Sequence, residues 1–449
     1  MSYTILGLGI SGLAALEYLV AQGAYPILVS ESRLRSDFDL ETIALIDRLE
    51  GKVEFEFGGE HTRACLLYEN LVVSPGMPID SQILKEARSK GKTILTEIDL
   101  ALKCDAERVE KLIGITGTNG KSTTTALIAH LLGVAPCGNI GTPLTLLLKN
   151  NPSQKTFVCE ISSFQLAHSW YFHPQIALIT NITPDHISWH GSWEAYQTAK
   201  AKIATYQTTQ DWLILPEELH LPGLNQAPQR LMIRSEGEIE PTCTNAAWVD
   251  EDGILWLKVD GKIDRLIERA ESILPGRHNT ANLLFASAAA YLAGLPLETL
   301  RERLRSFAGL EHRLEFIGEY HSKVFFNDSK ATNPESTIVA LEAFSEPVTW
   351  IAGGRDKLTD LTALSDIAKR KAAQIVLYGE AKGRFKEALH EAEYKGELIM
   401  VENLDAALRQ NLKARIILFS PACASFDQFK NFEERGAAFK SLVHKLYAD

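Results

Sequence analysis

Short apolar runs alternate with amphipathic stretches along almost the whole chain. The strand-like runs YTIL, YPILVS and NLVVSPG are each followed by a segment with apolar positions at helical spacing, such as SGLAALEYLVAQG and SQILKEARSKG, and TILTEIDLALK continues the pattern. Alternation of that kind predicts βαβ units and parallel sheets. A second block opens on KLIGITG, passes through TFVCEIS and IALITNIT, and closes on a long helix beginning near His278. Within it, residues 211–273 read as a β-rich insertion carrying WLILP, AAWVD and ILWLKVD. A third block, from about Leu310, alternates again through KVFFND, VTWIAGG, QIVLYG, ELIMV and RIILFSP. Three α/β domains are therefore expected: residues 1–105, Rossmann-like; 106–309, with a mainly parallel sheet and the β-rich insertion; and 310–449, again Rossmann-like. No internal repeat or low-complexity segment interrupts them.

Composition narrows the class. A chain of 449 residues, 45% hydrophobic and 23% charged, is too long for one compact domain and rich enough to bury several cores. The formal net charge of −11, with no long Lys/Arg cluster, disfavours nucleic-acid and anionic-membrane partners. Phosphate binding would then depend on helix N-termini and single cations. The six cysteines (65, 104, 137, 159, 243 and 423) include no CxxC pair, which argues for a reducing compartment and against a disulfide framework or zinc knuckle. MSYTILGLGISGL carries no basic leader or cleavage pattern, and the longest uncharged run, Asn279 to Leu297, is broken by Asn, Gly and Pro. A soluble cytoplasmic protein is expected.

Gly7, Gly9 and Gly12 form GxGxxG between the first strand and its helix, and Glu31 ends the next strand, placed to accept from a ribose or other hydroxyl. Alone, this pattern is a weak signal for a nicotinamide site, since any Rossmann-like sheet needs small residues at its first turn. The loop Gly117, Thr118, Asn119, Gly120, Lys121, Ser122, Thr123 is more specific, although it is two residues tighter than the usual GxxxxGK[ST]. Its backbone N–H groups can cradle phosphates, Lys121 can reach the β- and γ-phosphates, and the Ser122 hydroxyl can ligate Mg²⁺. Glu160 and His186 follow strands of the same block and are expected at the same sheet edge, Glu160 as a Mg²⁺ ligand. For Asp185 and His186 a plain polar turn is the competing reading, and for Lys200, in AYQTAKAKI, a solvated helix face.

Taken jointly and in order, TGTNGKST, GNIGTPL, CEISSFQL, TNITPDH, AYQTAKAKI, LPGRHNTANLLFA, GLEHRLEF, NDSKATNP, AGGRDK and SPACASFDQFKNFEERG span the chain and resemble the Mur ligase family, whose ATP loop takes the tight GTNGKST form. The resemblance implies an ATP-dependent amide ligase of peptidoglycan precursor synthesis that adds D-glutamate to UDP-N-acetylmuramoyl-L-alanine. It implies that Lys121, Ser122 and Thr123 hold ATP phosphates and Mg²⁺, with Asn279, His312, Arg313 and Asp328 around the rest of the nucleotide. Two Mg²⁺ ions would be held by Ser122, Glu160, His186 and Lys200, the last matching a carbamylated lysine whose CO₂ adduct turns an ammonium into a carboxylate-like ligand. Ile10, Ser11, Glu31, Ser32, Arg33, Ser74, Pro75 and Gly76 match uridine and diphosphate contacts, with Asn139 and His186 on the UDP-sugar substrate. Lys330, Thr332, Lys357, Ser425 and Phe432 match D-glutamate contacts, the last through its backbone. A monomer is expected.

Two departures stand out. Ser188 and Trp189 occupy positions where the family often has Asp-Arg, and Glu31 stands where Asp is common. The first leaves the hydrogen bonding behind His186 open. Competing readings are another Mur-type or folylpolyglutamate-type amino-acid ligase, a nicotinamide-dependent oxidoreductase using GLGISG, and a non-catalytic nucleotide-binding module. The oxidoreductase would leave GTNGKST without a use.

Overall fold

Residues 1–235, 244–274, 276 and 278–448 are described by the computed structural model. Cys243, part of the β-rich stretch, and Pro275 and Arg277 of the LPGRHNTANLLFA motif lie outside them. Strands among the described residues form three sheets.

In the first, β1 (Tyr3–Leu6), β2 (Ile27–Glu31), β3 (Glu54–Phe57), β4 (Asn70–Val73) and β5 (Thr93–Leu95) lie in the order β3-β2-β1-β4-β5, all parallel. β1, β2 and β4 are buried along their whole length, which is why they read as mainly apolar runs without strict alternation. The chain winds outward from β1 to β2 and β3, then crosses to β4. The turn after β1 and the loop after β4 therefore flank the switch point, where open α/β sheets take ligands.

The second sheet contains β6 (Lys111–Thr116), β7 (Pro136–Gly138), β8 (Thr156–Glu160), β9 (Ile176–Ile179), β10 (Trp212–Pro216), β11 (Gln229–Arg234), β12 (Ala246–Val249), β13 (Ile254–Val259) and β14 (Lys262–Glu268). Its order is β14-β13-β12-β11-β10-β9-β6-β8-β7, with β6 between β9 and β8. Pairing is parallel from β7 through β12, and β13 runs antiparallel to β12. The β-rich stretch thus continues the parallel sheet through β10, β11 and β12 before the β12–β13 hairpin turns it back.

In the third sheet, β15 (Glu315–Tyr320), β16 (Lys323–Asn327), β17 (Val348–Gly353), β18 (Ala372–Tyr378), β19 (Glu397–Met400) and β20 (Ile416–Phe419) are ordered β15-β16-β20-β17-β18-β19. All pairs are parallel except the edge hairpin β15–β16.

Packing divides the chain into two compact units, Met1–Ile267 with Ala281–Arg303, and Glu268–Thr280 with Leu304–Asp449. The first unit holds the first two sheets, through which one apolar core runs from Tyr3, Ile5 and Leu16 to Leu147, Phe157 and Leu166. The junction between those sheets is also polar. Asp99, fully buried, caps its own helix through Thr96 and accepts from the Ser169 hydroxyl at 2.6 Å and the Tyr171 N–H at 3.0 Å.

The second unit is organised around a buried guanidinium. Arg435, with no exposed surface, donates to Ser329 Oγ at 3.0 Å, Ser329 O at 2.7 Å and Cys423 O at 2.9 Å, tying the loop after β16 to the loop after β20. Arg435→Met would leave those carbonyls buried without donors. We expect it to cost about 2–4 kcal/mol of stability, read from the urea midpoint of unfolding. An unchanged midpoint would show that the two loops are held otherwise.

Candidate active site

The tight loop lies between β6 and the helix Lys121–Leu132, at the C-terminal edge of the second sheet. Gly117 has φ +146, and a Cβ there would meet Thr180 Oγ1 at 1.9 Å; Gly120 has φ +81 and a Cβ would meet Asn282 Oδ1 at 2.6 Å. The two missing residues of a longer loop are replaced by this close seating against neighbours. The segment after β9 clamps the loop. The Thr118 N–H donates to Asn181 O at 2.9 Å and the Asn119 N–H to Asn181 Oδ1 at 2.9 Å, while Asn119 O accepts from Thr180 Oγ1 at 2.6 Å. Thr118 Oγ1 also pairs with the Tyr196 hydroxyl at 2.9 Å. Gly117→Ala is therefore expected to weaken Mg·ATP binding by about tenfold or more, measured calorimetrically, because the strained φ and the clash displace the loop together.

Two amines meet at this loop. Lys121 Nζ donates to Gly117 O at 2.9 Å and Thr118 O at 2.8 Å, and Lys200 Nζ donates to Gly117 O at 2.6 Å. The solvated-face alternative for Lys200 fails: the residue is 2% exposed, with its nitrogen 4.8 Å from the Tyr196 ring centroid. Burial, reinforced by the Lys121 charge, pushes its pKa down to about 7 against the opposing pull of Asp185 and Glu160. A substantial fraction of Lys200 is thus a neutral, nucleophilic amine near neutral pH.

Glu160 ends β8 beside the loop and is 1% exposed. Its Oε1 accepts from Asn139 Nδ2 at 2.7 Å, whereas Oε2 is buried with no hydrogen-bond partner. A buried carboxylate oxygen without a donor is costly unless a cation meets it, so the residues fit a hard metal ion. Asn139, matched in the sequence to the UDP-sugar, has its amide on this carboxylate. His186 sits at φ +50, an uncommon conformation for a residue with a Cβ, and immediately precedes the helix Ile187–His190 without capping it through its side chain. Its Nε2 lies 3.4 Å from Asp185 Oδ2, and the side chain is half exposed. No group of three or more His, Cys, Asp or Glu among the described residues is gathered tightly enough to hold a metal by itself.

At the first sheet the Gly7 turn, the Glu31–Arg33 strand end and the Ser74 loop come together. Glu31 accepts from the Leu8 N–H at 2.6 Å and the Arg33 N–H at 2.9 Å, and pairs with the Arg33 guanidinium at 3.1 Å. Burial pushes its carboxyl up, but the hydrogen bonds from Arg33 and Leu8 prevail and hold it at about 2. The Ser74 N–H donates to Leu6 O at 3.1 Å, and Ile10 stands 79% exposed at the head of its helix, next to Ser11. Ser32, Pro75 and Gly76 share these loops.

In the second unit the candidates gather at the C-terminal edge of the third sheet. Asp328, Lys330 and Thr332 follow β16, Lys357 follows β17, Ser425 follows β20, and Phe432 is the first residue of the helix Phe432–Tyr447. Lys357 Nζ donates to Thr332 O at 3.1 Å, and Lys330 Nζ lies 5.8 Å from the Phe432 ring centroid. Burial pushes the Asp328 carboxyl up to about 7, even though it accepts from the Ser420 hydroxyl at 2.7 Å and the Leu314 N–H at 3.2 Å. His312 is buried at φ +63 with Nδ1 3.0 Å from Asn327 Nδ2, and Arg313 follows it. Asn279, also buried, belongs to this unit, so the nucleotide candidates are divided between the two units.

Family models match nearly the whole chain: "Mur ligase MurD-like, N-terminal domain" over residues 1–96, "Mur ligase middle domain" over 115–290 and "Mur ligase, glutamate ligase domain" over 312–423. A UDP-N-acetylmuramoylalanine--D-glutamate ligase of Thermoanaerobacter sp. (strain X514) is 33% identical over 98% of both chains. The chain belongs to the Mur ligase family. A second ligase of the same name, from Caldanaerobacter subterraneus subsp. tengcongensis, is 35% identical over 98% of each chain. Among solved structures, the UDP-N-acetylmuramate-alanine ligase of Thermotoga maritima covers 99% of both chains at TM-score 0.57 and 18% identity, a likeness of fold.

In this Mur ligase, Thr180, Asn181, Tyr196 and Asn282 seat the Gly117–Gly120 loop, and no residue type or spacing marks them singly. All four lie inside the motifs TNITPDH, AYQTAKAKI and LPGRHNTANLLFA, but only the fold shows what their side chains touch.

Proposed function

We propose that the protein is an ATP-dependent ligase that joins D-glutamate to UDP-N-acetylmuramoyl-L-alanine, a step of peptidoglycan precursor synthesis. The full-length relatives of that name support the reading. So does one local feature above the others: Lys121 and Lys200 converge on the Gly117 carbonyl beside a buried Glu160 oxygen that has no donor.

Joining a carboxylate to an amine in water is uphill, so the acid must first be activated. The alanyl carboxylate of the UDP-linked substrate attacks the γ-phosphorus of ATP, giving an acyl phosphate and ADP. The D-glutamate amine attacks the acyl carbon, and the tetrahedral intermediate collapses to amide and phosphate. Lys121 and the loop N–H groups offset the charge of the phosphate oxygens drawn together in the first step. Ser122, Glu160, His186 and a carbamylated Lys200 would hold two magnesium ions, which when bound neutralise phosphate charge and align the reacting oxygens. Gly117–Thr123 with Asn279, His312, Arg313 and Asp328 bind the nucleotide. Ile10, Ser11, Glu31–Arg33, Ser74–Gly76 and Asn139 bind the UDP-sugar, and Lys330, Thr332, Lys357, Ser425 and the Phe432 backbone bind D-glutamate. The three functional domains have boundaries near residues 105 and 309.

A cytoplasmic monomer is part of the same proposal. Among the described residues no helix is long and apolar enough to cross a membrane. The test is ADP release by the purified protein with ATP, magnesium and UDP-N-acetylmuramoyl-L-alanine, with D-glutamate present or omitted. Stoichiometric ADP and amide with D-glutamate, and none of that amide with L-glutamate or other amino acids, is expected. Preference for a different amino acid would assign the chain to another branch of the family.

A further inference from the structure

The unusual Ser188-Trp189 pair after His186 has no role in the ligand set above, yet its surroundings are specific. Trp189 packs edge-on against Phe164 with ring centroids 4.6 Å apart at 82°, and Phe164 lies 4.9 Å from the His186 ring. Trp189 also meets His168 at 6.2 Å and 77°. His168 is 2% exposed, ends the helix Ser163–His168, and its Nε2–H donates to the carbonyl of Met77 at 2.9 Å. Met77 closes the Ser74–Met77 turn, its own N–H donating to Ser74 O at 3.0 Å. A continuous line of contacts therefore joins the loop after β4 to the His186 imidazole, in the order Met77, His168, Trp189, Phe164, His186.

We propose that His168 and Trp189 are positioning residues that hold the Ser74–Met77 loop in register with His186. Where an Asp-Arg pair would act through charge, this chain uses ring packing and one buried hydrogen bond. The inference rests on the function proposed above, in which this loop binds the UDP part of the substrate. Two observations separate the role from general support of the fold. The turn Ser169–Tyr171, immediately after His168, is pinned independently by Asp99, so the helix end keeps its place without the imidazole. The start of the loop is held by the Ser74 N–H on Leu6 O, so what His168 fixes is the far side of the turn. His168 Nδ1 and Trp189 Nε1 are both buried without partners, which leaves ring packing and the single Nε2–H bond as what these side chains contribute.

The test uses the full-length protein with UDP and Mg·ATP as separate calorimetric probes, alongside steady-state kinetics. His168→Phe keeps a ring against Trp189 but loses the donor. It is expected to weaken UDP binding and raise KM for the UDP-sugar by about tenfold, with Mg·ATP affinity and kcat within about twofold of wild type. His168→Gln, whose amide N–H can reach the Met77 carbonyl, is expected to recover most of the affinity. Trp189→Ala breaks the line between His168 and Phe164, the ring that packs on His186, and is expected to lower kcat as well. Combined with His168→Phe, it should cost less than the product of the two single effects, because both cut one line. Wild-type UDP affinity in His168→Phe, equal losses for UDP and ATP, or independent effects in the double variant would each overturn the inference. If His168→Phe does not fold, an unchanged UDP affinity in Trp189→Ala overturns it. Failure of the wild type to bind UDP or release ADP would strike the proposed function instead.

Discussion

Lys121→Ala is expected to reduce ATP-dependent ADP release by about 10³-fold, corresponding to about 4 kcal/mol of lost transition-state stabilisation. The side chain bonds to carbonyls of its own loop, those of Gly117 and Thr118, so its ammonium can turn toward a phosphate at little cost to the fold. The loss should fall on kcat more than on the KM of the UDP-sugar, because the charge that Lys121 meets grows as the phosphoryl group is transferred. A second consequence follows from its neighbour. Lys121 is one of the charges that depress the Lys200 pKa, so its removal should move that pKa upward and shrink the neutral fraction of Lys200 near pH 7. Arginine should not substitute, since a planar fork does not fit where a compact ammonium reaches past the Gly117 carbonyl. Single-turnover measurement of ADP formation separates this loss of chemistry from any change in product release.

The second large effect is expected at Lys200. In the carbamate, the neutral amine has added its lone pair to CO₂ and released one proton, leaving an anionic carboxylate-like group. Formation needs the free amine, and burial together with the Lys121 charge lowers the Lys200 pKa to about 7, so the reactive form grows as pH rises through that value. The same sign governs stability: a buried lysine whose folded pKa is depressed costs the fold while it is charged, so this cost is greatest below about pH 7 and fades above it. Lys200→Ala should lower kcat by about 10²–10³-fold, and acetate, formate or propionate should restore part of it by supplying a carboxylate in the space left. Full activity of Lys200→Ala at low bicarbonate would end the carbamate proposal.

Much of the fold is legible in the amino-acid sequence. The fully buried strands β1, β2 and β4 announce themselves as mainly apolar runs because both faces of a parallel sheet are covered. β3, with the sequence EFEF, and the three-residue β7 carry no such run and do not stand out as strands. The same limit applies in the site. Gly117, Gly120 and Lys121 are readable because a phosphate loop needs those residue types at that spacing. Nothing local shows that Asn181 clamps the loop or that Asn139 faces Glu160, since both contacts depend on how neighbouring strands are ordered. Lys200 is the sharpest case: a lysine in a helical stretch reads as solvated, and only packing beneath Tyr196 and against the Gly117 carbonyl reveals it as buried. Trp189 illustrates the converse, because a departure from the family pattern marks its position while only the fold shows that it packs between Phe164 and His168.

All of these effects depend on the Thr118–Ser122 backbone gripping a triphosphate beside magnesium. Isothermal calorimetry of the full-length protein with Mg·ATP tests this directly. A saturable heat with a stoichiometry near one, weakened in Lys121→Ala and much reduced when magnesium is chelated, is the predicted result. Absence of any binding heat in the wild type, at concentrations where UDP binds, would contradict it.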